Sequence, residues 1–374
     1  MSYIPMQPET IFQLVNAFGT PLYVYEEEIL RNNYCSLARI FPEAEIHYAV
    51  MCNPHPLILR IIKEMGAGVH INSLSELKLV KSVGFDINKI SFTSVGLDTK
   101  TLEKLVKDQI QVNLDSIEEV EKHCRIGRDF GIRIRMPPFE LSKGTTNSSN
   151  LSNAGIVEQD FYRVISMAAS SGSKVAGIHG YLASNINEPG PFTQFADYLF
   201  QQARKFPDLQ YINFGSGFGL YLDLRIVSGY YSAAIRDLSE FFGRQIKMKI
   251  EPGRSIVASA GKLFTRVTNV KQLNVKKQIA VDAGFGDFAR PLLYGAEHPI
   301  EVVGKNGPLE LYDLRGNTIL QSDFLRYGVE LPTVQEGDIL AINNTGAYGR
   351  VMASGFPGKM LPKEVVVMMD GDYY

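Results

Sequence analysis

Several stretches of this chain collect the residue types that chemistry needs. In Asn213-Phe214-Gly215-Ser216-Gly217-Phe218-Gly219 the glycines have no Cβ to obstruct backbone N–H groups turning towards an anion, and a following helix would add a favourable dipole. A glycine-rich turn alone is not specific, and a plain tight connection is the competing reading. In Glu251-Pro252-Gly253-Arg254-Ser255 a carboxylate stands beside an arginine. It is either a structural ion pair or a carboxylate that holds a proton on the ring nitrogen of a ligand. Arg290, with Tyr294 four residues on, offers a planar fork for a carboxylate, although a solvated surface arginine is the commoner case. Gly177-Ile178-His179-Gly180-Tyr181-Leu182-Ala183-Ser184 supplies an aromatic face and a hydroxyl, with His179 reading as core. Cys52, next to Met51 and near His55, is a conceivable nucleophile, but a lone cysteine is more often inert core.

Positioning these residues falls to a regular alternation. From residue 22 to about 253, short β-rich runs (22–25, 45–50, 68–71, 89–93, 112–115, 132–136, 175–181, 211–214 and 248–251) alternate with amphipathic stretches such as 75–83 and 99–107. Repeated βα units close on a parallel sheet, so the pattern predicts an α/β fold built on a (β/α)8 TIM-type barrel with one extra entering strand. The unusual residues fall at strand ends, where barrel proteins carry their sites. Residues 140–154, polar and without periodicity, read as a loop over the barrel mouth. After Gly261 helical periodicity fades into strand-like runs, which predicts a C-terminal all-β domain.

Composition narrows the partners. With 374 residues, 45% apolar and 21% charged, the chain suits a large domain plus a smaller one, and a net charge of −2 gives no electrostatic reason for nucleic acid or an anionic membrane. Three cysteines (Cys35, Cys52, Cys124) make no even disulfide framework and no zinc spacing. The N-terminus lacks a basic and apolar leader, and no run is long enough to span a bilayer. The expectation is a cytoplasmic protein with a small-molecule partner and no metal.

Glu45-Ile46-His47-Tyr48-Ala49-Val50-Met51-Cys52-Asn53-Pro54, with Thr20-Pro21-Leu22-Tyr23-Val24-Tyr25 before it, resembles the start of the fold-type III pyridoxal-phosphate decarboxylases, the family of diaminopimelate and ornithine decarboxylases. The likeness runs from about residue 18 to 370 and includes the late Gly346-Ala347-Tyr348-Gly349. It implies an alanine racemase-like fold, a barrel over 26–262 that binds pyridoxal 5′-phosphate, and a β-domain of 1–25 with 263–374. By the resemblance, Gly215, Ser216 and Gly217 take the phosphate, Glu251, Gly253 and Arg254 form the ring-nitrogen motif, and Ser184 and Tyr348 adjoin the cofactor. Arg290 and Tyr294 correspond to the residues that grip a substrate carboxylate. It also implies an amino-acid or amine ligand and a homodimer.

Departures from that pattern fall in three segments. Met51 stands where the family has the lysine that carries the cofactor as a Schiff base, Tyr181 replaces the histidine that stacks on its ring, and Leu320 with Gln321 replaces a cysteine–acid pair that protonates the product, leaving Asp323 near the third position. A thioether has no basic lone pair or labile proton, and a leucine cannot donate one. The expectation is a relative of the decarboxylases that keeps the phosphate and ring-nitrogen site with altered or lost activity. It would hold the cofactor non-covalently, or reach it with another lysine such as Lys143. The alternative is a non-catalytic binding or regulatory partner of an active homologue.

Overall fold

The computed structural model describes residues 6–142, 145–146, 148–273 and 276–374. Lys143 lies outside the described residues. Two compact units divide the chain, residues 34–255 and residues 1–33 with 256–374. The boundaries expected at 25/26 and 262/263 thus fall at 33/34 and 255/256. Strand β1 (Leu22–Glu26) belongs to a sheet with later strands, and Asn33 at the entry to the barrel unit still donates Nδ2 to the Ile256 carbonyl at 2.8 Å.

The barrel unit contains strands β2 (Ala44–Ala49), β3 (Gly68–Ile71), β4 (Ile90–Thr93), β5 (Gln111–Leu114), β6 (Phe130–Arg133), β7 (Val175–His179), β8 (Tyr211–Asn213) and β9 (Lys247–Ile250), closed into a parallel barrel with helices between them. Side chains alternate across a strand, so each strand here divides its residues between two environments. Apolar residues such as Ile46, Val69, Phe92, Val112, Ile178 and Met248 are buried in the outer layer. The intervening positions carry His47, His70, Ser91, Asn113, His179, Tyr211, Asn213 and Lys249, all buried, and all polar where a barrel axis is usually filled with branched aliphatics.

Polar interiors must be hydrogen-bonded to be tolerated. The Tyr211 hydroxyl donates to Asn113 Oδ1 at 2.9 Å, Asn113 donates to Thr93 at 3.0 Å, and Lys249 donates to Gln111 at 2.6 Å while pairing with Glu45 at 3.1 Å. Tyr211 crosses the barrel over Gly131 and Gly177, where a Cβ would lie 2.2 and 2.0 Å from its atoms. Those glycines are spacers for one ring. The outer helices are locally specified: Ser73 and Ser116 accept from the amides of Glu76 and Glu119, which reach back to the Asn72 and Asp115 amides, a capping box at each start.

The other unit pairs β1 with β10 (Gly261–Gln272) and with β16 (Lys363–Val367), and continues through β11 (Lys277–Val281), β12 (Ile300–Val302), β13 (Leu309–Arg315), β14 (Phe324–Pro332) and β15 (Ile339–Ile342). Helix Pro8–Phe18 buries Ile11, Leu14 and Val15 against Leu22, Val24, Phe264 and Val365 of this sheet. Strand texture after Gly261 is interrupted by a short helix, Arg290–Tyr294, where Pro291 suits the first turn and Gly295 closes it with positive φ.

Candidate active site

Glu251 follows β9 directly and is buried at the end of the barrel where the strands finish. The arginine beside it in sequence is not its principal partner. His70 of β3 approaches Oε1 through Nδ1 at 2.8 Å, Asn213 of β8 donates Nδ2 to the same oxygen at 2.5 Å, and His179 of β7 reaches Oε2 through Nε2 at 3.3 Å. Burial pushes the carboxyl up, yet the two histidines beside it outweigh that and hold it well below the usual carboxylate range. Burial lowers His179 in turn, and its Nδ1 is buried without a protein partner, so it serves as a neutral donor through Nε2–H. The His70 and His179 rings lie parallel, 6.1 Å apart.

Asn213 joins the carboxylate to the glycine turn. Its Oδ1 accepts from the Gly215 amide at 2.9 Å, and the Glu251 amide donates to the Gly215 carbonyl at 2.7 Å. Gly215 and Gly217 have φ of +57° and +103°, and a Cβ at 217 would fall 1.9 Å from the Ala183 carbonyl oxygen. The turn therefore folds tightly onto the segment after β7. The amides of Gly215 and Gly219 are spent inside the protein, but among the described residues those of Ser216, Gly217 and Phe218 meet no protein acceptor. Ser255 Oγ, past the Glu-Pro-Gly turn, is buried and also lacks one. Unpaired donors on two adjacent turns at the ends of the last two barrel strands make a cradle for an anion.

Replacing Gly217 with alanine is expected to cost at least about 2 kcal/mol through the clash and the positive φ. Gly229→Ala, in the open helix Leu224–Phe242, should be neutral or stabilising by about 0.5–1 kcal/mol, as read by denaturant unfolding.

Met51 sits in a short 3-10 turn (Val50–Cys52) after β2 and is 45% exposed. The turn is tied to the Glu-Pro-Gly segment, since Ala49 donates to the Pro252 carbonyl at 3.1 Å and Gly253 packs so tightly on Cys52 that a Cβ there would lie 2.9 Å from Sγ. Cys52 is fully buried, and His55 caps helix Pro56–Glu64 by accepting from the Leu57 amide.

Tyr181 donates to Ser184 Oγ at 3.2 Å, and the Arg133 guanidinium lies 5.9 Å from its ring. Of the loop expected over the barrel mouth, Thr146 exchanges backbone hydrogen bonds with Ser184 and Ser149 donates to Leu182. Ser184 therefore offers its hydroxyl and not its amide. Arg254 opens the short helix Arg254–Val257.

In the other unit Arg290 is buried, not a solvated surface arginine, with its guanidinium 5.7 Å from the Tyr294 ring and 6.0 Å from the Tyr348 ring. Tyr348 holds a left-handed φ of +56°, uncommon for a tyrosine and consistent with a position fixed by its surroundings. Leu320 is half-buried in the tight connection between β13 and β14. Asp323 does not stand ready as an acid there. It is buried and accepts from the amides of Phe285 and Thr318 and from the Thr318 hydroxyl.

Sequence reasoning missed His70, Asn213 and Arg133, and placed His179 in the core without a task. The available signal was the polar member of each alternating strand, which reads equally well as the solvated face of a half-buried sheet.

A closed parallel barrel bearing a buried carboxylate beside unpaired backbone amides at its strand ends defines the class of barrel proteins that carry their site there. Residues 27–258 match the family described as pyridoxal-dependent decarboxylase, pyridoxal binding domain. A diaminopimelate decarboxylase of Methanothermobacter thermautotrophicus is 31% identical over 379 residues, covering 95% of this chain and 88% of its own. Among solved structures, one diaminopimelate decarboxylase superposes with a TM-score of 0.89 at 27% identity, covering 98% and 93% of the two chains. The Helicobacter pylori enzyme complexed with L-lysine gives 0.87 at 25%, covering 97% and 95%. The chain belongs to the pyridoxal-dependent decarboxylase family, whose cofactor is pyridoxal 5′-phosphate. No helix among the described residues is long and apolar enough to cross a membrane.

Proposed function

We propose that this chain binds pyridoxal 5′-phosphate without a covalent anchor and is, at most, an atypical amino-acid decarboxylase. The observation that carries the reading is the pairing of an intact cradle and ring-nitrogen carboxylate with a thioether at position 51. The amides of residues 216–218 and the Ser255 hydroxyl would take the phosphate, Glu251 would accept the ring N–H, and Tyr181 and Ser184 would border the ring. Pyridoxal phosphate supplies an electron sink when its ring nitrogen is protonated. The chain's own part is to keep Glu251 ionised, which its three donors do, and to hold the phosphate. Met51 can supply neither a nucleophile nor a proton.

In the other unit, Arg290 with Tyr294 and Tyr348 provides a fork suited to a carboxylate, in keeping with a basic or dicarboxylic amino acid. Self-association into a homodimer in the cytoplasm completes the proposal. A second reading, a binding or regulatory protein without turnover, is favoured by Leu320, whose loop is closed by Asp323 and by the Arg315 side chain on the 320 and 321 carbonyls and carries no proton donor in the cysteine's place.

The test is to load the purified full-length protein with pyridoxal 5′-phosphate, reduce with borohydride and weigh it. Retention of about one cofactor per chain through gel filtration with no added mass supports the proposal. Failure to retain the cofactor, or reduction onto a lysine, refutes it. Measured CO2 release from diaminopimelate, ornithine, lysine or arginine would remove the second reading.

A further inference from the structure

We infer that His70 is a positioning residue for Glu251: with Asn213 and His179 it occupies three of the carboxylate's acceptor sites, leaving one on Oε2 for a single N–H donor of the ligand. The inference rests on the cofactor reading above. An ionised carboxylate has about four lone-pair positions. Oε1 takes the His70 Nδ1–H at 2.8 Å and the Asn213 amide at 2.5 Å, whereas among the described residues Oε2 has only His179, at 3.3 Å. The site is thereby matched to one donor in one direction, as a protonated ring nitrogen presents, and has no room for a bidentate cation.

His70 is itself held. Ser91 Oγ lies 3.0 Å from His70 Nδ1 and 3.0 Å from His47 Nδ1. Burial, reinforced by Lys249, lowers His47 to about 4, so it is neutral and its Nδ1 accepts the Ser91 hydroxyl. Glu251 Oε1, an acceptor 2.8 Å from His70 Nδ1, requires the proton to be on that nitrogen, so Ser91 Oγ faces His70 with a lone pair and turns its hydrogen to His47. Which ring nitrogen of a histidine carries the proton is set by the partner each nitrogen meets, and here the carboxylate selects Nδ1.

The consequence concerns basicity. Donors to the ionised carboxylate disperse its charge and weaken its pull on a further proton. Around Glu251 and His70 the other titratable or charged groups among the described residues are His179, with Arg133 acting on it from β6, then Lys249, His47 and Tyr211 deeper in the barrel, and Glu76 near His70. Among the described residues, His70 and His179 are the titratable groups that contact the carboxylate, beside the uncharged Asn213 amide. Removing the His70 donor concentrates charge on Oε1, so a bound ring nitrogen should keep its proton to higher pH.

Two measurements decide this. In the ligand-free full-length protein, 15N spectra of labelled histidine should show His70 protonated at Nδ1; a bare Nδ1 overturns the inference whether or not any ligand binds. With pyridoxamine 5′-phosphate as probe, ultraviolet titration of the bound ring should shift upward by about one pH unit in His70→Ala. It should return to within about 0.3 unit in His70→Asn, whose amide nitrogen can stand where Nδ1 does. Equal midpoints in the native protein and His70→Ala overturn the inference. If the native protein does not take up the probe, the cofactor reading fails instead, and the histidine spectra still settle the role of His70. They settle it equally if His70→Ala does not fold.

Discussion

Met51→Lys is expected to convert non-covalent retention of pyridoxal 5′-phosphate into covalent attachment, seen after borohydride reduction as the mass of one cofactor on the peptide containing residue 51. A half-exposed side chain at the end of β2 leaves space for the longer lysine, and the turn beneath it is braced by the Ala49–Pro252 hydrogen bond. An amine restores both the nucleophile and a group that moves protons, and general acid–base work of that kind contributes on the order of 10²–10⁴-fold in rate. CO2 release from the best of diaminopimelate, ornithine, lysine and arginine should rise by a factor in that range over the native chain. Covalent attachment without CO2 release would place the remaining defect at Leu320, and Leu320→Cys in the same background should then add activity. If no mass appears on the peptide, position 51 does not face the cofactor aldehyde, and the proposal of an unanchored cofactor is wrong.

The second large effect is structural. Asp323→Ala should destabilise the β-rich unit by about 3–5 kcal/mol, because it strands the Phe285 amide, the Thr318 amide and the Thr318 hydroxyl together in a buried place. The carboxylate is packed as tightly as it is bonded: a Cβ at Gly316 or Gly284 would come within 2.4 or 2.6 Å of its oxygens. Asp323→Asn keeps an acceptor and should lose less than half as much. Chemical denaturation followed by a probe in the β-rich unit would measure both. A loss under about 1 kcal/mol for the alanine variant would show that water replaces the carboxylate, and that the loop bearing Leu320 is not organised by it.

How far the chain can be read without coordinates differs from residue to residue. Gly215 and Gly217 were legible as a backbone-exposing turn, since glycine is the residue that tolerates their positive φ. Glu251 was legible as a strand-end carboxylate, but its partner was not. The neighbour in sequence, Arg254, suggested an ion pair, whereas the contacts come from β3, β7 and β8, distant in the chain and adjacent only after the barrel closes. Asp323 shows the converse error. Its place near a family acid suggested chemistry, and its hydrogen bonds make it a fastener.

What the amino-acid order determined by itself is what depends on local periodicity and local caps: alternating strands, amphipathic helices begun by Ser73 and Ser116, the switch to strand texture after Gly261, and a thioether at position 51 at the end of the first barrel strand. Tertiary structure alone decided which face of each barrel strand looks inward, because an alternating polar and apolar strand is the same string whether its polar face meets water or a closed axis. Closure brought His47, His70, Ser91, His179 and Asn213, scattered along five strands or strand ends, into a buried network around one carboxylate, and burial in a low-dielectric interior makes each of those hydrogen bonds matter.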